Sequence, residues 1–283
     1  MVSCSFERII AFTALASNGD IRKVLRMTRR DLSESRVIVT GASGGIGREL
    51  AMQLSACGAR VCFTARRRER LLELQAKMPN SAVFVSGDIT DSEVQRELLD
   101  TCERSFGGVD VLINNAGVGA IGPFADADPN RLRKLFEVNF YAAVELTRLA
   151  IPCLRKSDNA AIVNIGSVLS HFAVPQKSEY CASKFALRGF TDSLRSELAE
   201  ENIDVLSVHP NTTRSEFFDS LVEQKGDAAT NPMQMSAEAA ASKIIAAINR
   251  GRPDTVLSGS GKLTVLLNRL FPSTMRAVIR RFG

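Results

Sequence analysis

The sequence predicts an α/β protein, one domain built around a doubly wound parallel sheet of about seven strands. Three observations carry this. Short apolar, β-branched runs recur along the chain, they are continuous where a half-exposed strand would alternate, and segments with apolar residues at three-to-four spacing separate them. A continuous apolar run suits a strand covered on both faces, the condition of a parallel sheet packed between helices. Strand and helix in alternation then give the doubly wound arrangement.

In order, the strand-like runs are RVIVT (Arg36–Thr40), RVCFTA (Arg60–Ala65), AVFVS (Ala82–Ser86), VDVLIN (Val109–Asn114), AAIVNI (Ala160–Ile165), IDVLSV (Ile203–Val208) and TVLS (Thr255–Ser258). Between them, segments such as IGRELAMQLSACG and RLRKLFEVNFYAAVELTRLAI carry a helical apolar stripe. No low-complexity linker and no fixed-period repeat divides the chain. The expected layout is an N-terminal arm (1–35), a single domain (36–260) and a basic amphipathic tail (261–283) broken by Pro272.

Composition excludes several classes. The chain has 283 residues, 45% hydrophobic and 24% charged, as for an ordinary globule. No apolar run approaches the roughly 20 residues that span a bilayer. Ile9–Ala16 is too short, and although Ala14-Leu15-Ala16 has a small-x-small look, Glu7 and Arg8 cancel, so an amphipathic arm is expected there instead of a leader. The cysteines, Cys4, Cys57, Cys62, Cys102, Cys153 and Cys181, form no Cys-x-x-Cys pair and read as reduced thiols of a cytoplasmic protein. The histidines are His171 and His209, in no metal-ligand spacing, so no metal is expected. The net charge of +5 lies in the tail, where Lys262, Arg269, Arg276, Arg280 and Arg281 meet no acidic residue; the rest balances at 31 of each sign. That is a local contact and not a nucleic-acid surface.

TGASGGIG (Thr40–Gly47) follows the first strand and opens the first helix. Glycine allows a tight turn and close backbone approach, and a helix N-terminus favours a pyrophosphate. Gly41, Ser43, Gly45, Ile46 and Gly47 are therefore the candidate contacts of a dinucleotide. The second strand discriminates cofactors. An acidic residue near its end would bond ribose hydroxyls, but the chain reads TARRRER, with Ala65 in that place and Arg66 after it. A guanidinium grips a 2′-phosphate, so NADP(H) is expected over NAD(H). Some of Arg67, Arg68 and Arg70 read as the solvated start of the next helix.

SEYCASKFALRGF (Ser178–Phe190) sets Tyr180 and Lys184 four apart, on one face of a helix. A free phenol titrates near about 10, and a nearby ammonium favours the phenolate, so the pair reads as a proton donor tuned towards neutrality. Ser167 closes the fifth strand, where open α/β sheets place ligands.

With TGASGGIG, GDIT (Gly87–Thr90), NNAG (Asn114–Gly117), Asn139 in FEVNF, Ser167 in NIGS and Tyr180-x-x-x-Lys184, the chain resembles the short-chain dehydrogenases/reductases from about Arg36 to Gly259. The resemblance implies a Rossmann-like domain in which Asn139, Ser167, Tyr180 and Lys184 reduce a carbonyl or oxidise an alcohol with a nicotinamide cofactor. It implies a water on Asn139 relaying protons to Lys184, a contact of Lys184 with the nicotinamide ribose, an adenine contact at Asp88 and Ile89, and Asn115, Ala116 and Gly117 along the adenine ribose. Pro210 and Thr213 would line the nicotinamide end, although Asn211 stands where the family has glycine and would have to take a left-handed backbone. His209 reads as a strand-end packing residue; for His171 substrate contact and a surface position both stay open.

A lid is expected at about 214–237, where Phe217, Phe218, Leu221, Val222, Met233 and Met235 outweigh Arg214 and Lys225 and favour a small apolar substrate over a phosphorylated sugar. The expectation is an NADP(H)-dependent oxidoreductase on a small carbonyl or secondary alcohol. A 3-oxoacyl thioester reductase and a non-catalytic dinucleotide-binding protein are the alternatives. The family's habit implies a homodimer or homotetramer. The tail is expected to pack on the core or a second subunit ahead of a weak contact with a membrane surface.

Overall fold

The computed structural model describes residues 29–211, 213–214, 221–225 and 234–282. Residues 1–28 and most of the expected lid, with Phe217, Phe218 and Met233, lie outside them.

Seven strands form one parallel sheet: β1 (Arg36–Thr40), β2 (Arg60–Ala65), β3 (Ala82–Ser86), β4 (Val111–Asn114), β5 (Ala161–Ile165), β6 (Asp204–His209) and β7 (Asp254–Val256). Their order is β7-β6-β5-β4-β1-β2-β3, every neighbouring pair parallel. The reversal of order between β1 and β4 opens a crevice at their carboxyl ends, the place where such sheets take ligands.

Why the apolar runs are continuous is now visible. Val37, Val39, Val61, Phe63, Val111 and Ile113 face one core, while Ile38, Cys62 and Leu112, the residues between, face the other. Helix α1 (Gly45–Ala56) supplies Leu50, Ala51 and Leu54 to the first core. Helix α2 (Arg68–Gln75) adds Leu71 and Leu74 to the first, and α3 (Ser92–Phe106) supplies Leu98, Leu99 and Cys102 to the second. Helices α4 (Arg131–Phe136), α5 (Ala142–Leu154) and α6 (Ser178–Glu197) follow, then α7 (Ala237–Asn249), whose Ile244 and Ile248 pack beside α1.

The first three strands match the sequence reading residue for residue. The fourth begins at Val111, not Val109, because the Asp110 carboxylate turns to accept from the Arg36 main-chain N–H at 2.8 Å and its guanidinium at 2.5 Å. Two short parallel pairs lie beside the sheet, Gly119–Ile121 with Leu221–Gln224 and Thr213–Arg214 with Met235–Ser236.

Residues 29–35 lie against the domain. Buried Arg30 donates to the Ala160 carbonyl at 3.0 Å and pairs with Asp204, and Leu32 enters the first core. The tail forms α8 (Gly259–Leu270) and α9 (Pro272–Phe282), parted where Pro272 cannot continue a helix. Gly261 seats α8 against Val168 and Val256, while Leu263, Leu266, Leu270, Phe271 and Val278 stay exposed. Among the described residues no helix is long and apolar enough to cross a membrane.

Candidate active site

At the end of β1 the Thr40 hydroxyl accepts from the main-chain N–H of Asn115 (3.0 Å) and Ala116 (2.9 Å), and Asn115 Nδ2 donates to the Thr40 carbonyl at 2.9 Å. The glycine turn and the loop after β4 are thereby one unit. Gly41 (φ +72°) and Gly45 (φ +54°) are left-handed. A Cβ on Gly47 would stand 2.2 Å from the Gly41 carbonyl oxygen. Gly44 is the N-cap of α1, no side chain caps it, and no acidic residue occupies the first turn. The turn therefore presents main-chain N–H groups and the positive end of a dipole, a fit for the pyrophosphate of a dinucleotide. Ile46 packs against the first core from this turn.

At the end of β2, Arg66 is exposed. Arg67, exposed at the N-cap of α2, turns its guanidinium back onto the glycine turn, with Nε 3.3 Å and Nη2 3.2 Å from Ser43 Oγ. The Arg67 cation and a serine hydroxyl thus stand together, with exposed Arg66 next to them in the chain, where Ala65 leaves no carboxylate. Asp88 is exposed and accepts from the Thr90 N–H (3.0 Å) and hydroxyl (2.9 Å), a turn-starting aspartate, while the Ile89 side chain is buried in the second core.

Helix α6 carries Tyr180 and Lys184. Lys184 is 4% exposed; its Nζ donates to the Ile165 carbonyl at 3.1 Å and lies 6.0 Å from the centre of the Tyr180 ring. Asn139 sits in a π-helical turn, Glu137–Tyr141, between α4 and α5. Its Oδ1 accepts from the Val118 N–H at 2.8 Å, and its Nδ2 donates to the Val118 carbonyl and to Ser183 Oγ, both at 3.0 Å. A Cβ on Gly117 would stand 3.2 Å from Asn139 Oδ1 and 3.5 Å from Lys184 Nζ, so glycine there leaves open the space between them. Ser167 caps a short turn, Val168–Ser170, and is hydrogen-bonded to the Tyr180 phenol.

Burial pushes the Tyr180 phenol up to about 12, against the pull of Ser167, and burial pushes Lys184 down to about 8. This corrects the expectation that the lysine brings the phenol below its ordinary value: in the protein alone desolvation wins, because the ammonium points at the Ile165 carbonyl and is itself short of solvent.

Pro210 receives the Val168 N–H on its carbonyl at 2.9 Å, which ties the Ser167 turn to β6. Asn211 is not left-handed; among the described residues only Glu34, Gln176 and Asn202 combine a side chain with positive φ. The chain leaves β6 without the strained residue that a glycine replacement had suggested. Thr213 pairs with Met235, and its side chain lies outside the described residues. His209 is fully buried at the end of β6, with the His171 ring edge-on at 4.4 Å.

Two networks escaped the sequence reading. Asn114 Nδ2 donates to Asn164 Oδ1 at 2.8 Å and to Thr147 Oγ1 at 3.0 Å, and Asn164 Nδ2 donates to Thr191 Oγ1 at 2.9 Å, which stitches β4, β5, α5 and α6 behind the site. A single asparagine inside each apolar run was the available signal. Arg131, 0% exposed, donates to both oxygens of Glu179 (2.9 and 2.8 Å) and pairs with Glu223 at 3.4 Å. It pins the helix of Tyr180 to the short strand Leu221–Gln224.

A family model, short chain dehydrogenase, matches residues 35–226. Similar curated proteins include a dehydrogenase/reductase SDR family protein 7-like of Anopheles gambiae, 30% identical over 95% of this chain and 91% of its own. A protein of the same description from Drosophila melanogaster is 31% identical over 87% of this chain and 79% of its own. Among solved structures, a short chain dehydrogenase from Burkholderia cenocepacia in complex with NADP superposes with a TM-score of 0.77 at 26% identity, over 88% of this chain and 99% of that one. One from Burkholderia phymatum in complex with NAD shares the fold, with a TM-score of 0.78 at 22% identity over 85% and 95%.

Proposed function

The chain belongs to the short-chain dehydrogenase/reductase family, and on that premise we propose an NADP(H)-dependent oxidoreductase that interconverts a small, fairly apolar carbonyl and its secondary alcohol. The observation that carries this reading is the convergence of Ser167, Tyr180, Lys184 and Asn139 at the carboxyl ends of β4 and β5, around Gly117. A non-catalytic dinucleotide binder has no use for that set.

The residues fit the cofactor. Gly41, Ser43, Gly45, Ile46 and Gly47 would hold its pyrophosphate, Asp88, Ile89, Asn115, Ala116 and Gly117 its adenosine half, and Tyr180, Lys184, Pro210 and Thr213 its nicotinamide half. When bound, the nicotinamide supplies or accepts the hydride. The protein's own residues manage the proton. Tyr180, neutral at pH 7, holds it for the substrate oxygen; Ser167, bonded to the phenol, orients that oxygen. Lys184 and Asn139 hold the route by which Tyr180 is reprotonated. Related structures contain NAD or NADP, so the preference for NADP(H) rests on this chain's own Arg66 and Arg67 beside Ser43.

For assembly we favour a homodimer or homotetramer through α5 and α6, a reading supported by the exposed Tyr141 and Phe185 beside them. A cytoplasmic setting, with the tail against a second subunit ahead of a membrane surface, completes the proposal. The test is NADPH oxidation against a panel of carbonyls. Turnover of small ketones or aldehydes supports the reading; NADPH binding with no turnover of any of them overturns it.

A further inference from the structure

Outside the proton-handling residues lies a second cluster of ligating side chains. His209 ends β6 and Asp254 opens the neighbouring β7, where the parallel register sets Asp254 against Ser207. Alternation then sends the His209 and Asp254 side chains out of the same face of the sheet. His171 arrives from the other side, just after the turn that Ser167 caps. The three residues place one ligand atom each within 4.8 Å of the others.

The hydrogen bonds fix the roles. His209 Nδ1 is 3.1 Å from the carbonyl oxygen of Ser167. A carbonyl only accepts, so Nδ1 carries the proton. In the neutral ring Nε2 is then a bare lone pair. It is buried, makes no hydrogen bond, and faces Asp254 Oδ1 at 3.4 Å. Lone pair against carboxylate is repulsive unless a positive charge lies between them. His171 Nε2 is likewise buried without a hydrogen bond. A proton on His209 would answer Asp254 and leave His171 unsatisfied; a cation answers all three.

We propose that His171, His209 and Asp254 form a binding site for one divalent cation of the zinc type. Two imidazoles and one carboxylate are a donor set that zinc favours over magnesium. Zinc–ligand bonds of about 2.0–2.1 Å in a tetrahedron separate neighbouring ligand atoms by roughly 3.4 Å, the separation seen between His209 and Asp254. The Ser167 carbonyl on the far nitrogen of His209 is the outer contact that orients a metal-bound imidazole. Arg188 Nε, 3.8 Å from Asp254 Oδ2 and from Asp192 Oδ2, engages the carboxylate's other oxygen. The seat is shaped for the ring as well: a Cβ on Gly166 would stand 2.7 Å from His209 Nδ1. The ion would bind β6, β7 and the turn of Ser167 into one piece, with α8 joined through Asn268 Nδ2 on the His171 carbonyl at 3.3 Å.

The test uses the full chain after chelator treatment, titrated with zinc chloride and separately with magnesium chloride by calorimetry, with thermal unfolding followed by circular dichroism. One equivalent of zinc is expected to bind in preference to magnesium and to raise the melting temperature. His171→Gln, at a half-buried turn position, and Asp254→Asn should each weaken zinc by more than about tenfold, whereas Cys57→Ser, which removes an exposed thiol, should not. No zinc binding by the wild type, or binding unchanged in both His171→Gln and Asp254→Asn, overturns the proposal.

Discussion

Lys184 Nζ and the carbonyl oxygen of Ile165 lie 3.1 Å apart, the ammonium donating, in a space that solvent hardly reaches. Burial brings the Lys184 ammonium down from its ordinary 10.5 to about 8 in the folded protein. Between those values the unfolded chain binds more protons than the folded one, so this residue makes stability rise with pH across that window. The stability difference between wild type and Lys184→Met should therefore shift in favour of the wild type from pH 8 to 10.5, by about 3 kcal/mol. Urea unfolding at a series of pH values measures it; a difference that stays flat contradicts the buried ammonium.

Tyr180→Phe keeps the ring and removes the proton. Turnover should fall by at least roughly 10²–10⁴-fold, with NADPH affinity within a few-fold of wild type. Steady-state rates beside a fluorescence titration of the cofactor separate the two effects. Turnover at the wild-type level would remove Tyr180 from the chemistry.

Arg67 beside Ser43 alters the expected basis of cofactor choice. Arg66→Asp and Arg67→Ala should each weaken NADPH by about one to two decades, the worth of a charge-assisted contact of roughly 1.5–3 kcal/mol, while NADH binding stays within a few-fold. Dissociation constants for both cofactors decide the matter, and equal constants in the wild type would refute the preference.

Gly47→Ala sets a methyl group 2.2 Å from the Gly41 carbonyl and 2.4 Å from Asn115 Nδ2. Neither neighbour is free to retreat, because Asn115 is itself bonded to Thr40. The variant should lose NADPH binding and unfold at a lower temperature, by about 1–3 kcal/mol as for other overpacked sites.

Removing the chain beyond Gly261 deletes α8 and α9, with the bond from Asn268 to the His171 carbonyl. A lower melting temperature or a changed oligomeric state is expected. Unchanged stability and assembly with lost binding to anionic vesicles would instead make Leu263, Leu266, Leu270 and Phe271 a membrane-facing stripe.

Much of this architecture was legible because its causes are local. β1, β2 and β3 read to the residue, since the burial of both faces writes itself as an unbroken apolar run. The spacing of Tyr180 and Lys184 needed only a helix. What escaped depended on partners distant in the chain. Asp110 left its expected strand for Arg36, Arg67 turned back to Ser43, and His171, His209 and Asp254 have no spacing by which to announce themselves. The burial that outweighs Ser167 at the Tyr180 phenol belongs to the assembled core and to no short stretch of sequence.

Arg131, itself shut off from water, binds Glu179 and Glu223, and that arrangement constrains how the sequence can drift. Losing the arginine alone strands the buried Glu179 carboxylate, at a cost of about 3–5 kcal/mol, whereas Glu223 keeps Lys225 at 2.8 Å; losing Glu179 alone leaves the buried guanidinium only its longer contacts with Glu223 and the Gly122 carbonyl. An apolar pair of matching volume in place of Arg131 and Glu179 would stand without that penalty, yet either single replacement passes through the unpaired state. Arg131 and Glu179 are thus bound to change together or not at all, and with them the placing of Leu221–Gln224 against the helix of Tyr180 is inherited as one unit.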